Sequence, residues 1–238
     1  MGRANGKKAR FLAEHPICCF CAGARQAVEI DHLPSRACFD GNNWPEGFEF
    51  PACSVCNRNT SQEEQIVAFF SRSLANPAFP PRNEEIVKLG LGSRNNLPAA
   101  MSEFESTIRP VSDELMAFEQ GPEIGNAFEV VFHKWARAFY YLETRRILPV
   151  ESQILTRTIT LDTIQKGLVS EEWFEGETRP LLRNGKDLSG TFGYIYRAEP
   201  ENELYMFNVM FRRSFAALLF VDVTGRHLRE IARRAASS

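Results

Sequence analysis

Two Cys-x-x-Cys pairs, Cys18/Cys21 and Cys53/Cys56, bracket the adjacent residues Asp31 and His32, and Asn57 follows the second pair directly. A short turn of this kind lets two thiolates reach one metal. Two such turns complete the tetrahedral set that Zn²⁺ takes with sulfur at about 2.3 Å. The pairs are separated by 31 residues, more than a plain zinc ribbon carries, so a zinc here closes a loop large enough to hold a site of its own. Asp31 inside that loop and the side-chain oxygen of Asn57, on the segment the zinc ties down, are the hard donors that Mg²⁺ or Mn²⁺ takes beside water and phosphate. His32, titrating near pH 6.5 when unperturbed, is the group to take a proton from water. Together these are the parts needed for water to attack a phosphodiester. Neighbours on a strand face opposite ways, so Asp31 and His32 converge only if their strand bends or ends there. Pro34, two residues on, predicts an ending.

The elements that position these groups follow from local patterns. A helix is expected over Gly6–Glu14, stopped by Pro16, and Ala27–Asp31 reads as a strand delivering His32. Pro34 and the run Asp40–Pro45 mark a turn-rich loop, Glu49-Phe50 a second short strand. Ser61-x-x-Glu64 has the form of a capping box opening a helix through Ile66, Val67, Phe69, Phe70 and Leu74. Asn76–Pro81 reads as a linker, dividing the chain into residues 1–75 and 76–238. In the second part, helices are expected at Asn83–Leu91, Ser112–Glu119 and Gly125–Arg146. The last carries Phe128, Val131, Phe132, Trp135, Phe139 and Leu142 at three- and four-residue spacing. Gln153–Leu161, Thr191–Ala198, Glu203–Phe211 and Phe215–Val223 read as antiparallel strands, and Gly225–Ala235 as a closing basic helix. The fold class is α+β. Tyr194, Tyr196, Tyr205 and Phe207 are expected to fill a helix–sheet interface rather than to stack bases.

The bulk numbers narrow the function. With 238 residues and 44% hydrophobic content the chain can bury a proper core, and no apolar run approaches the roughly 18 residues that span a bilayer. The basic start, Met1–Arg10, lacks the apolar stretch of a signal peptide. A cytoplasmic location without membrane association is expected. There, paired cysteines favour metal over disulfides. Cys19 and Cys38 are left over, Cys38 reading as a small buried hydrophobe. A net charge of −2 argues against coating nucleic acid, which needs many cations, but permits a few phosphate contacts. Candidates are Arg3, Lys7, Lys8 and Arg10, then Arg25 and Arg36 near the motif, and Arg226, Arg229, Arg233 and Arg234 at the end. His15, His133 and His227 read as surface groups.

The segments Glu29-Ile-Asp-His-Leu-Pro-Ser-Arg36 and Pro51-Ala-Cys-Ser-Val-Cys-Asn-Arg-Asn-Thr60 resemble the HNH (ββα-metal) endonucleases over roughly residues 15–70. The resemblance implies a zinc-stabilised ββα-metal module in residues 1–75. In it Asp31 and Asn57 hold a catalytic Mg²⁺ or Mn²⁺, His32 is the general base, and Cys18, Cys21, Cys53 and Cys56 hold a structural zinc. Arg58 and Arg36 would contact the substrate. It further implies DNA as substrate and products with 5′-phosphate and 3′-hydroxyl ends. Residues 76–238 would supply targeting or assembly, through a protein partner or self-association. The sequence departs from the family pattern at Phe48, where an asparagine usually stands, and at Thr60, where lysine is common. Asn42, Asn43, Glu49 or a backbone carbonyl is left to orient His32. Two other readings stay open: a zinc-stabilised module that binds nucleic acid or protein without cutting, and a nuclease directed at RNA.

Overall fold

In a computed structural model, which describes residues 3–74, 82–110, 116–160, 163, 166–213 and 215–236, the central apolar stripe forms the longest described helix, Pro122–Thr144. In chain order, α1 is Arg3–Glu14, β1 Glu29–His32, β2 Glu49–Ala52, α2 Ser54–Arg58, α3 Ser61–Ser73, α4 Asn83–Asn96 and α5 Pro98–Thr107. A two-residue ladder, β3 Arg109–Pro110 with β4 Met116–Ala117, precedes the long helix, α6. The strands β5 Gln153–Thr160, β6 Glu177–Thr178, β7 Leu182–Arg183, β8 Lys186–Asp187, β9 Phe192–Glu199, β10 Leu204–Phe211 and β11 Phe215–Asp222 follow, and α7 is Arg226–Ala236. The architecture is α+β, as expected.

The principal sheet has the order β5-β11-β10-β9-β6, each neighbouring pair antiparallel. Its inner strands β10 and β11 read as nearly unbroken apolar runs because both of their faces are covered. Tyr194, Phe207, Phe211, Phe215 and Leu219 share a core with Phe128, Phe132, Trp135 and Phe139 of α6. On the opposite face Met206, Ala216 and Leu218 pack with Ile159, Trp173 and Phe174. Tyr194, Tyr205 and Phe207 therefore fill the helix–sheet interface.

The small β1–β2 ribbon rests on the same core. Phe48 and Phe50 lie 6.2 and 6.3 Å from Phe139, ring centre to ring centre, and Phe48 lies 5.4 Å from Tyr194. This accounts for phenylalanine at position 48: the ring fills a space between the ribbon, α6 and the sheet.

Most expected elements occur within a few residues of their expected bounds; the short strands β6, β7 and β8 were not expected, and three further differences concern helices. The Ser61 capping box does not form. Thr60 occupies the cap position, its hydroxyl donating to Glu64 Oε1 at 2.7 Å, and Ser61 Oγ donates to the Arg58 carbonyl. Helix α5 was not anticipated, although Pro98 in its first turn is a favourable start. Of the helix expected at Ser112–Glu119, residues 111–115 lie outside the described residues, and Met116–Ala117 is paired as a strand. The linker Asn76–Pro81 also lies outside them. No helix among the described residues is long and apolar enough to cross a membrane.

Two buried arginines fasten the irregular loop between β1 and β2. Arg72 of α3, 2% exposed, pairs with Asp40 and Glu85, and its Nη1 donates to the Ala37 carbonyl at 3.2 Å. Arg212, in the turn after β10, reaches Asp40 Oδ2 at 2.9 Å. Burial alone would raise the Asp40 carboxyl, but hydrogen bonds and charge from Arg72 and Arg212 outweigh it and hold its pKa below the usual range. A depressed carboxylate stabilises the fold above its unfolded pKa, and that contribution is lost as pH falls through the folded value. Asp40→Asn is therefore expected to cost about 2–3 kcal/mol at pH 7, below the range for fully buried pairs because Asp40 is partly exposed. The cost should shrink below pH about 4. Urea unfolding of both proteins at pH 7 and pH 3.5 checks this, and an equal difference at the two pH values would count against it.

Candidate metal centre and active site

The two cysteine pairs come together. Sγ atoms of Cys18, Cys21, Cys53 and Cys56 all lie within 4.8 Å of one another. Sulfurs at the corners of a zinc tetrahedron with bonds of about 2.3 Å are about 3.8 Å apart, so the cluster fits that ion. Backbone geometry sets it up: Cys18 N–H donates to the Arg25 carbonyl, closing the first turn, and Cys53 caps α2, accepting from Cys56 N–H at 3.4 Å. Burial would raise the Cys53 thiol, but hydrogen bonds from Cys56, Arg25 and Cys18 outweigh it and lower its pKa to about 7. A thiolate, the form that binds metal, is thus accessible there. Cys19 stays outside the cluster. Cys38 is buried as a small apolar filler, its thiol pushed up to about 12 by burial.

Beside this centre β1 and β2 pair antiparallel with Asp31 opposite Phe50 and His32 opposite Glu49, and β1 ends at His32. The carboxylate of Asp31 turns back on its own strand, Oδ1 accepting the His32 N–H at 2.8 Å. Its other oxygen, Oδ2, lies 2.6 Å from Nζ of Lys134, a residue of α6 that sequence reasoning missed. Lys134 is 5% exposed; Nζ also donates to Glu64 Oε1 at 2.7 Å and Thr60 Oγ1 at 2.9 Å. Burial would lower its pKa, but the charges of Asp31 and Glu64 outweigh this and raise it. Glu64 is also raised, by burial first and by Asp31, with Lys134 opposing. The lysine gains two carboxylate partners, while Glu64 is buried beside a second carboxylate with only one ammonium between them.

His32 looks the other way. Its ring meets Trp44 edge-on, 4.6 Å between centres at 80°. Burial, then the charges of Arg36, Arg183 and Lys7, lower its pKa to about 4, so the imidazole is neutral at physiological pH. Of the groups considered for orienting it, Asn43 Nδ2 donates to the Asp40 carbonyl and Glu49 accepts from Gly47 N–H. Trp44 is the side chain in ring contact with it.

Asn57, on α2, donates its amide nitrogen to Glu29, which shares a strand face with Asp31. Its carbonyl oxygen is the atom left for a cation. Arg36 belongs to the His32 surroundings through its charge, whereas Arg58 is exposed and bonds its own helix at the Ser54 carbonyl. His15 is tied to the Tyr141 hydroxyl at 2.7 Å, His133 lies 3.8 Å from Glu129, and His227 is exposed.

No protein-family model, no curated protein and no solved structure matches this chain.

Two outcomes are expected. Elemental analysis of the purified protein should find one zinc per chain, lost in Cys53→Ser together with several kcal/mol of stability, since a structural zinc contributes directly to folding. Lys134→Met strands Asp31 and Glu64 as buried like charges and should cost about 3–5 kcal/mol. Denaturant unfolding at neutral pH measures this, and a loss below about 1 kcal/mol would mean that the two carboxylates do not depend on the ammonium.

Proposed function

We propose that the protein is a metal-dependent endonuclease of the HNH type. Residues 1–75 form the catalytic module, and residues 76–238 complete it and target it to nucleic acid, most simply DNA. The observation that carries this reading is one arrangement: a β1–β2–α2 unit fastened at a four-cysteine centre, with a neutral imidazole at the end of β1 among three cations. His32 takes the proton of the attacking water. Its low basicity keeps it unprotonated, and the nearby cations attract the substrate phosphate and oppose charge building on it.

Asp31 and the Asn57 oxygen are the residues that would hold a divalent cation. They fit in kind, being hard oxygen donors, and the excess negative charge of the Asp31–Lys134–Glu64 group favours a cation nearby. Bound there, such a cation would supply Lewis-acid stabilisation of the leaving oxygen. Asp31 positions His32 through the contact with its N–H, Trp44 packs against its ring, and Lys134 limits how far the Asp31 carboxylate can turn.

One observation favours the second reading, a zinc-stabilised binding module that does not cut. Asp31 already has a buried ammonium at 2.6 Å and is itself only 9% exposed. A cation must share that carboxylate with Lys134.

Plasmid nicking with Mg²⁺, Mn²⁺ or Ni²⁺ decides between them, run beside His32→Ala protein of unchanged zinc content. The nuclease reading expects nicking by the parent and a loss of about 100-fold or more in the variant, the usual worth of a general base. Equal nicking by both would place the chemistry elsewhere. Nicking by neither, with oligonucleotide binding retained, would leave the binding module.

A further inference from the structure

Three side chains, two from the segment around β1 and one from the second part of the chain, gather around Trp44. The His32 ring packs against it, 4.6 Å between ring centres at 80°. The Arg183 guanidinium carbon lies 3.9 Å from the indole centre, and that of Arg36 lies 5.1 Å from it. Arg36 follows β1 in the chain, whereas Arg183 comes from the β7–β8 hairpin of the second part. That hairpin is fixed to the Trp44 loop on both sides of the arginine: Glu46 N–H donates to the Leu182 carbonyl, and Asn184 N–H donates to Glu46 Oε1, each at 2.9 Å. Arg183 is thus held in place by its neighbours' backbone rather than by its own charge.

Its charge is unspent. Among the described residues neither Arg36 nor Arg183 has a carboxylate within 4.0 Å, whereas Arg72, Arg94, Arg179 and Arg212 are each paired internally. The acids near them in sequence are engaged, Asp40 with Arg72 and Arg212, Glu46 with Asn184 N–H, Glu49 with Gly47 N–H and Asp187 with Ser189. Arg183 Nε and Trp44 Nε1 are buried donors without an acceptor. Stacking uses the flat face of a guanidinium and leaves its N–H groups free in the plane, a fork that matches two phosphate oxygens. The cluster therefore holds donors and positive charge and lacks an anionic oxygen to receive them.

We propose that Arg183 and Arg36, stacked on Trp44 beside His32, are a binding site for a backbone phosphate of a nucleic-acid strand. The inference rests on the nuclease reading for its choice of anion, and it adds Arg183 from the second part as a substrate-binding residue. Because Arg183 covers the indole, Trp44 serves as a platform for the guanidinium and not for a base. Recognition is of the backbone and independent of sequence. Two contacts of this kind suit a chain of net charge −2.

The test is binding of a fluorescein-labelled 20-base-pair DNA duplex, followed by anisotropy across a salt series without added divalent cation. It compares the full-length parent with Arg183→Met and Arg36→Met. Arg36 is exposed, so its variant keeps the question answerable if Arg183→Met misfolds; circular dichroism and zinc content report on that. Each variant is expected to bind about tenfold or more weakly, with the slope of log K against log salt smaller by about 0.9 for each lost contact. Unchanged affinity and slope in both variants, or no binding by the parent, overturns the proposal. Nicking assays separate the two claims. If the parent nicks and the variants bind normally, the phosphate site fails and the nuclease stands. If binding depends on both arginines and no metal supports nicking, the site stands and the nuclease fails.

Discussion

An ammonium buried to 5% exposure cannot be moved without consequence, and Lys134 is where the fold commits itself. Removing such a charge from water is costly unless carboxylates receive it, and two carboxylates brought together without it would repel each other. Lys134 is supplied by α6, Asp31 by β1 and Glu64 by α3, so the three elements are fixed mutually by one group of charges. Thr60 joins as the third partner of the ammonium, which explains why the start of α3 departs from the expected capping box. Glu64 accepts from the ammonium and from the Thr60 hydroxyl, one residue before Ser61.

Helix α6 carries this lysine on one flank and Trp135 and Phe139 on the next, so the same rod sets the ribbon's electrostatics and its packing. Phe48 shows how far that goes. A position that in the resembling family carries an asparagine here carries a ring inserted among Phe139, Phe192 and Tyr194. Once α6 and the sheet are packed against the ribbon, that place is apolar and an amide there would be buried without partners. The support for His32 passes to Trp44, which is itself flanked by Arg183 from the second part. The ribbon's ring and its charges are thus maintained from outside the segment that carries the cysteines.

What was legible in the sequence was what repeats locally. Two short cysteine turns, a 3.6-residue apolar stripe and four apolar strands each announce themselves within a window of about ten to twenty residues. The contacts that give the site its character join residues far apart: Asp31 with Lys134, Trp44 with Arg183, Asp40 with Arg72 and Arg212. No spacing rule links them. Lys134 in particular stands inside an apolar stripe, where a lysine reads as a flank residue with its charge in water. Its burial follows only from Asp31 and Glu64 on other elements.

The adjacency of Asp31 and His32 can now be given a geometric meaning. On a continuing strand the two side chains would lie on opposite faces, one toward α6 and one toward solvent. They do lie on different sides here, Asp31 toward Lys134 and His32 toward Trp44. The strand stops at the second of them, and the Asp31 carboxylate folds back to accept the N–H of the peptide that joins them. The inward charge and the outward imidazole are therefore one peptide apart and rigidly related. Any shift of α6 that moves Lys134 is carried through that carboxylate to the backbone of His32, so the packing of the second part and the position of the imidazole are not independent variables.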